Sequence, residues 1–197
     1  MDTTAFASIG LTHGNGEKQM KEQPNPTRYL VGPTTERLMH RTFTVADADV
    51  AYALNSDPEV LRYTGDVPLT SVSHARQFIA GYTDFDTVGY GRWACVLRQT
   101  QVVIGFCGLK YLPDMGVVDV GFRLLPRYWG LGLATEACTA CVAFGFETIG
   151  LKQIVAYVMP ENTASVRVLE KSGLRFETEC TYDGIPVCRF VADAFQP

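Results

Sequence analysis

Two stretches carry residues whose types and spacing suit chemistry. The first, RYWGLGLATEA at residues 127–137, places two glycines one residue apart, behind an arginine and ahead of a run of helix formers. Unpaired N–H groups and the positive dipole end at a helix mouth favour anionic oxygens. Gly130 and Gly132 give a backbone that a bulky anion can approach without a Cβ in the way, and Arg127 adds charge. The second stretch, ENTASVRVLEKSG at residues 161–173, offers Asn162 as a helix N-cap. Ser165 then lies on the same face three residues on, with Leu169 a turn beyond. An asparagine cap and a first-turn serine are ordinary in any helix, so the residues alone leave both roles open.

The surrounding pattern must position these groups. ERLMHRTF at 36–43 reads as a strand, and a short helix from Asp47 to Leu54 ends at Asp57-Pro58. SVSHARQFIAGY is an amphipathic helix capped by Ser71 or Ser73. Strand patterns at Arg92–Leu97, Val102–Tyr111 and Val117–Leu124 are joined by links too short for anything but an antiparallel meander. A helix over Gly132–Thr148, a β-branched strand at Gln153–Val158 and a helix over Ala164–Ser172 with Gly173 at C′ follow. A hairpin around Asp183-Gly184, a type I′ turn signal, closes the chain. One mixed, mostly antiparallel sheet flanked by helices, an α+β fold, accounts for this order.

Strand, turn, glycines, helix is compatible with a diphosphate at a helix mouth or with a plain glycine-eased turn. A dinucleotide site wants G-x-G-x-x-G after the first strand of a parallel sheet. Here the sixth position is Thr135 and three antiparallel strands come first. A nucleotide P-loop lacks its Gly-Lys-Ser/Thr.

Arg127-x-x-Gly130-x-Gly132 resembles the R/Q-x-x-G-x-G/A signature of the GNAT superfamily of acetyl-CoA-dependent N-acetyltransferases. TERLMHRTFTVADADVAYALNSDPEV, VGFRLLPRYWGLGLATEA and ENTASVRVLEKSGLRFE, in that order along the chain, resemble its RimJ/RimL branch of ribosomal-protein N-terminal acetyltransferases. The likeness covers residues 35 to 195. It implies acetyl-CoA as co-substrate and no metal. The strand before the signature would splay from its neighbour, with backbone groups of Phe122, Arg123 and Leu124 meeting the pantetheine arm. The pyrophosphate would sit over Trp129, Gly130, Leu131, Gly132, Leu133, Ala134 and Thr135. Asn162 matches the family asparagine that bonds the arm, and Ser165 a serine placed to protonate or orient the departing thiolate.

The resemblance has departures. Leu169 stands where many members have a tyrosine acid, and Cys188 where the last hairpin often carries an aspartate. Asp119 is the nearest acidic candidate for a general base on the key strand, weighed against a plain surface aspartate. Glu136 reads as structural. The acceptor implied first is a protein N-terminal α-amine, then a small amine such as a polyamine, amino acid or aminoglycoside, with walls from Asn55 to Tyr82 and the last hairpin. A non-catalytic acyl-CoA sensor is the opposing reading. Family analogy also allows a homodimer.

Bulk properties agree. With 47% hydrophobic and 19% charged residues over 197 positions, the chain suits one soluble domain. A net charge of −4 without a basic stripe argues against nucleic acid, and no apolar run suits a bilayer. No secretory signal is visible, which predicts a cytoplasmic protein with reduced cysteines. Cys138 and Cys141 then read as small buried thiols in a helix rather than a metal pair, and Cys180 and Cys188 as packing residues. Residues 1–34 are polar and aperiodic, predicting a flexible extension ahead of a single domain at 35–197.

Overall fold

Period-two alternation in the central runs produces an eight-stranded sheet in this computed structural model, which describes residues 27–194. Its strands are β1 (Val31–Thr34), β2 (Leu38–Arg41), β3 (Arg92–Leu97), β4 (Val103–Leu112), β5 (Val117–Leu124), β6 (Gln153–Val158), β7 (Arg175–Tyr182) and β8 (Ile185–Asp193). Their spatial order is β1-β2-β3-β4-β5-β6-β8-β7, antiparallel throughout except between β5 and β6. The mixed, mostly antiparallel α+β architecture is the expected one.

Helices cover both faces. Alternate residues of β3 look opposite ways, so Ala94 and Val96 pack with Val50 of α1 (Ala48–Leu54), while Trp93 and Cys95 join the main core. That core includes Leu133, Ala137, Cys138 and Cys141 of α5 (Leu133–Phe144). The short α2 (Pro58–Leu61), α3 (Val72–Ala80, capped by Ser71) and α4 (Asp84–Thr87) lie between β2 and β3 in the chain. Finally, α6 (Thr163–Lys171) ends with Gly173 at φ 88° and a Leu174 N–H to Leu169 carbonyl bond of 3.1 Å. The hairpin turn has φ of 46° at Asp183 and 80° at Gly184, the two positive values of a type I′ turn.

Three boundaries differ from the sequence reading. Val31–Thr34, expected within a flexible extension, is an edge strand on β2. Gly32 and Pro33 disguise it, yet Gly32 is needed: a Cβ there would lie 2.8 Å from the Trp93 ring. Just before it, the Tyr29 carbonyl accepts the Trp93 indole N–H at 2.8 Å. Residues 1–26 of that extension, including His13 and the Gly14-Asn15-Gly16 stretch, lie outside the described residues. The helix expected over Gly132–Thr148 is α-helical only to Phe144 and relaxes into a π-turn over Gly145–Ile149. A Cβ at Gly145 would stand 2.7 Å from Ile154, so that glycine lets the turn lie on β6. The short helix expected from Asp47 opens as a 3₁₀ turn at Val45–Asp47, fixed by Asp47 accepting from Thr44 and Arg41.

His40 on β2 is fully buried, with Nδ1 2.6 Å from the Pro33 carbonyl and no partner for Nε2. Burial lowers its pKa below 6.5. The unfolded chain therefore binds more protons than the folded one just below that value, and stability falls as pH drops from 6.5. Melting temperature is expected to decline between about pH 6.5 and 5 in the parent, and to stay flatter over that window in His40→Gln. Thermal melts across the window decide it.

Candidate active site

A fork in the sheet organises the site. The parallel strands β5 and β6 pair only at Asp119 and Val155. Beyond that point each keeps its other neighbour: β5 stays in register with β4 through Leu124, and β6 with β8 through Val158. The strands therefore part, leaving backbone on the inner edge of β5 without a ladder partner. A cavity of about 90 Å³ fills the crotch, lined by Phe106, Asp119, Gly121, Tyr157 and Met159 among others. A cleft of about 530 Å³ shares Tyr63, Thr64, Phe122, Asn162 and Ser165 with it. That size suits a cofactor-sized ligand.

The cleft gathers most of the residues singled out in the sequence. Phe122, Arg123 and Leu124 come from β5, and Trp129, Gly130 and Gly132 from the loop. Leu133, Ala134 and Thr135 supply the first turn of α5, with Asn162 and Ser165 across from them on α6. Gly130 and Gly132 have φ of 73° and 75°, a backbone that L side chains rarely adopt. A Cβ on Gly130 would meet open space, so the requirement is conformational rather than one of room within the chain. Gly132 cannot cap α5 with a side chain, so its first-turn N–H groups are left for a ligand. The Trp129 indole N–H bonds the Leu124 carbonyl at 2.6 Å and ties the loop to the end of β5.

Two expected residues stand aside. The Arg127 guanidinium lies 4.9 Å from the Tyr128 ring centre, outside the cleft lining. Leu131 also falls outside it, with its carbonyl accepting from Arg37 at 2.9 Å.

Arg37 was not legible as part of the site. Its guanidinium also bonds Glu136 at 2.6 Å, and that carboxylate takes the Arg37 N–H and the Thr35 hydroxyl as well. Burial would raise the Glu136 carboxyl, but these donors overcome it and hold it below its usual range. Glu136 is thus structural, as its sequence suggested, and through Arg37 it braces the glycine loop. Arg37→Ala is expected to raise the KM for acetyl-CoA about fivefold and leave kcat within twofold, the size of one lost charge-assisted bond. Steady-state kinetics at saturating acceptor reads both.

Basic side chains dominate the cleft rim. Arg62, Arg123, Arg167 and Lys171 line it against a single acid, Glu59. Arg167 and Lys171 are four apart on α6 and share one face, a spacing visible in the sequence but not singled out there. Arg123 does a second job. Its buried guanidinium holds Asn55 at 2.5 Å and Asp66 at 2.6 Å, docking the segments on either side of α2 against β5.

Asn162 Oδ1 accepts the Ser165 N–H at 3.2 Å, a working N-cap. The Ser165 hydroxyl has no hydrogen-bond partner among the described residues. Leu169 is buried on the cavity wall, so no tyrosine competes with Ser165 there. Asp119 is no surface aspartate. It is 1% exposed and ion-paired with Arg92, which is equally buried. The segment at 59–64 supplies cleft walls as expected. The last hairpin supplies no lining residue to either cavity, and meets the site through Tyr182, stacked 5.0 Å from Tyr157, and through β8, whose Arg189 is in register with Tyr157. Cys138 and Cys141 are buried beside Cys95 and Cys107 in the core, where burial pushes the Cys95 and Cys107 thiols well up. Among the described residues no group of three or more acidic, histidine or cysteine side chains could hold a metal. No helix among them is long and apolar enough to cross a membrane.

Known proteins resemble this chain in sequence and in fold. Residues 37–175 match the family model described as an acetyltransferase (GNAT) domain. The uncharacterized N-acetyltransferase p20 of Bacillus licheniformis is 37% identical over 147 residues, 74% of this chain and 82% of that protein. The uncharacterized N-acetyltransferase YoaA of Bacillus subtilis is 33% identical over 145 residues, covering 73% and 82%. A solved GNAT-family acetyltransferase from Bacillus anthracis superposes with a TM-score of 0.71 at 26% identity, over 82% of this chain and 97% of that one.

Proposed function

The chain belongs to the GNAT acetyltransferase family and is an acetyl-CoA-dependent N-acetyltransferase, and we propose that its acceptor is a protein N-terminal α-amine, as in the RimJ/RimL branch. The observation that carries this reading is the charge of the acceptor end of the site. The 90 Å³ cavity has one carboxylate, Asp119, and Arg92 already holds it. The adjoining cleft is lined by Arg62, Arg167 and Lys171 against one acid, Glu59, besides Arg123, which Asp66 already holds. A polyamine or aminoglycoside brings several positive charges and needs unpaired carboxylates to meet them. A terminal α-amine brings one, and the aromatic and neutral walls of Tyr63, Thr64, Phe106 and Tyr157 suit it.

In this reading the pyrophosphate lies on the uncapped mouth of α5, with the rim cations around the phosphates. The pantetheine arm takes the free edge of β5, and Asn162 bonds it through the amide nitrogen that capping leaves unused. The amine attacks the acetyl carbonyl carbon. Backbone N–H groups near Phe122 to Leu124 stabilise the oxyanion that forms. Collapse expels the thiolate, which takes a proton from the Ser165 hydroxyl as water returns one to that oxygen, and the nitrogen's proton passes to water.

Mass spectrometry of reactions with acetyl-CoA and a pool of free-N-terminus peptides, α-blocked lysine peptides, polyamines and aminoglycosides tests the acceptor. Acetylated peptide N-termini are expected. Acetylated polyamine or aminoglycoside with untouched peptides overturns the assignment. The pH profile adds a second check. With the amine deprotonated in solution, kcat/KM for a peptide should rise with pH and level off near the α-amine pKa of about 8.

A further inference from the structure

Arg92 is a charge placed where the sheet is driest. Its side chain is wholly buried under the fork, and its guanidinium reaches two strands. One nitrogen donates to the Gly108 carbonyl of β4 and to the Asp119 carbonyl of β5, the latter at 3.0 Å, and the other to the Asp119 carboxylate. Its Nε has no hydrogen-bond partner among the described residues. The room it occupies is taken from the strand that carries the site. A Cβ on Gly121 would fall 2.6 Å from its Nη2.

Burying such a pair is costly, and an apolar pair of like volume would serve stability as well or better. Its position is what distinguishes it. Asp119 is the one residue of β5 paired with β6, and Gly121 is the next residue on the same face, at the level where the strands have parted. Tyr157 lies two residues past Val155, and burial raises the Asp119 carboxyl while Arg92 foremost, then Lys110 and the Tyr157 backbone N–H, act to lower it. That N–H belongs to the segment where a longer ladder would have joined β6 to β5.

We propose that the Arg92–Asp119 pair is the wedge that sets where β5 leaves β6, making Asp119 a positioning residue for the acetyl-CoA fork rather than the group that takes the amine's proton. The carboxylate occupies the crotch, draws the Tyr157 N–H, and is fixed by a guanidinium anchored on β4. The inner edge of β5 is thereby kept for the ligand. The inference rests on the reading of that edge as the pantetheine site.

Two double variants separate the possibilities, each removing both charges so that neither is left buried alone. Arg92→Gln/Asp119→Asn keeps an acceptor for the Tyr157 N–H. Arg92→Met/Asp119→Leu does not. Calorimetric titration with CoA and steady-state kinetics are read on both, with the parent as reference. The wedge predicts CoA affinity within about threefold of the parent for the polar pair. For the apolar pair it predicts a loss of CoA affinity of about tenfold, roughly the worth of one buried hydrogen-bonded contact. Collapse of kcat by 100-fold in the polar pair, with CoA affinity intact, would make Asp119 the base and overturn the proposal. Parental CoA affinity in the apolar pair would overturn it equally. Amide exchange of Tyr157 in the parent covers the case of an apolar pair that does not fold: slow exchange supports the wedge, and exchange as fast as a free edge sinks it. Failure of the parent to bind CoA would instead remove the premise, the pantetheine site itself.

Discussion

Ser165→Ala should lower kcat about 100-fold while leaving the affinity for CoA unchanged, the deficit of a lost general acid. The geometry makes this substitution unusually clean. The cap of α6 uses the Ser165 backbone N–H and the Asn162 side chain, both of which alanine preserves. Ser165 is part-buried on the wall shared by the two cavities, so the change removes one oxygen and opens little space. The buried Leu169 cannot substitute as a proton donor. Rapid-quench turnover and calorimetric CoA binding together read the result. A variant with parental kcat would assign thiolate protonation to solvent, and one with weakened CoA binding would make Ser165 a binding residue. Asn162→Ala should behave differently, losing both the cap, worth about 1 kcal/mol, and the contact to the arm.

Gly132→Val should cut kcat/KM for acetyl-CoA about 100-fold, chiefly through KM. Valine at φ 75° meets left-handed strain of about 1–2 kcal/mol, more for its branched side chain. The helix mouth can relieve that strain only by rotating the peptide groups that face the cleft. The N–H groups of the first turn of α5 then no longer converge on one anion. Gly150→Val is the matched control. Its φ is 80°, a Cβ there meets open space, and it lies beyond the π-turn away from both cavities. It should lower the melting temperature while leaving the KM for acetyl-CoA near the parental value. Equal KM effects in the two variants would mean that the loop acts through global stability, not through its amides.

Local chemistry made much of this molecule readable in advance. Positive φ at Gly130, Gly132, Gly173 and Gly184 was foreshadowed by glycine itself, since few other residues tolerate that conformation. The meander of β3, β4 and β5 followed from links too short to cross over. Asn162 announced the start of α6 because its side chain caps better than it propagates. The mouth of α5 and its glycines were legible for the same reason: the information sits within a dozen consecutive residues.

What stayed hidden is made by contacts between distant segments. Arg37 braces a loop 94 residues away, and Arg123 holds Asn55 and Asp66 from 68 and 57 residues off. No period or spacing encodes such partners. β1 was missed because Gly32 and Pro33 read as loop, whereas its place depends on Trp93 lying beneath it. Asp119 is the sharpest case. Alternation put it on a face shared with Gly121 and Arg123, but what lies on that face depends on Arg92, brought there by the β3–β4 register. Sequence by itself thus determined most of the elements, the glycine-opened helix mouth and the family, because those rest on backbone conformation and short-range order. Only the tertiary structure decided where the sheet forks, which charges are spent within the fold and which remain for the substrates, because ion pairs form through space and burial is a property of the whole chain.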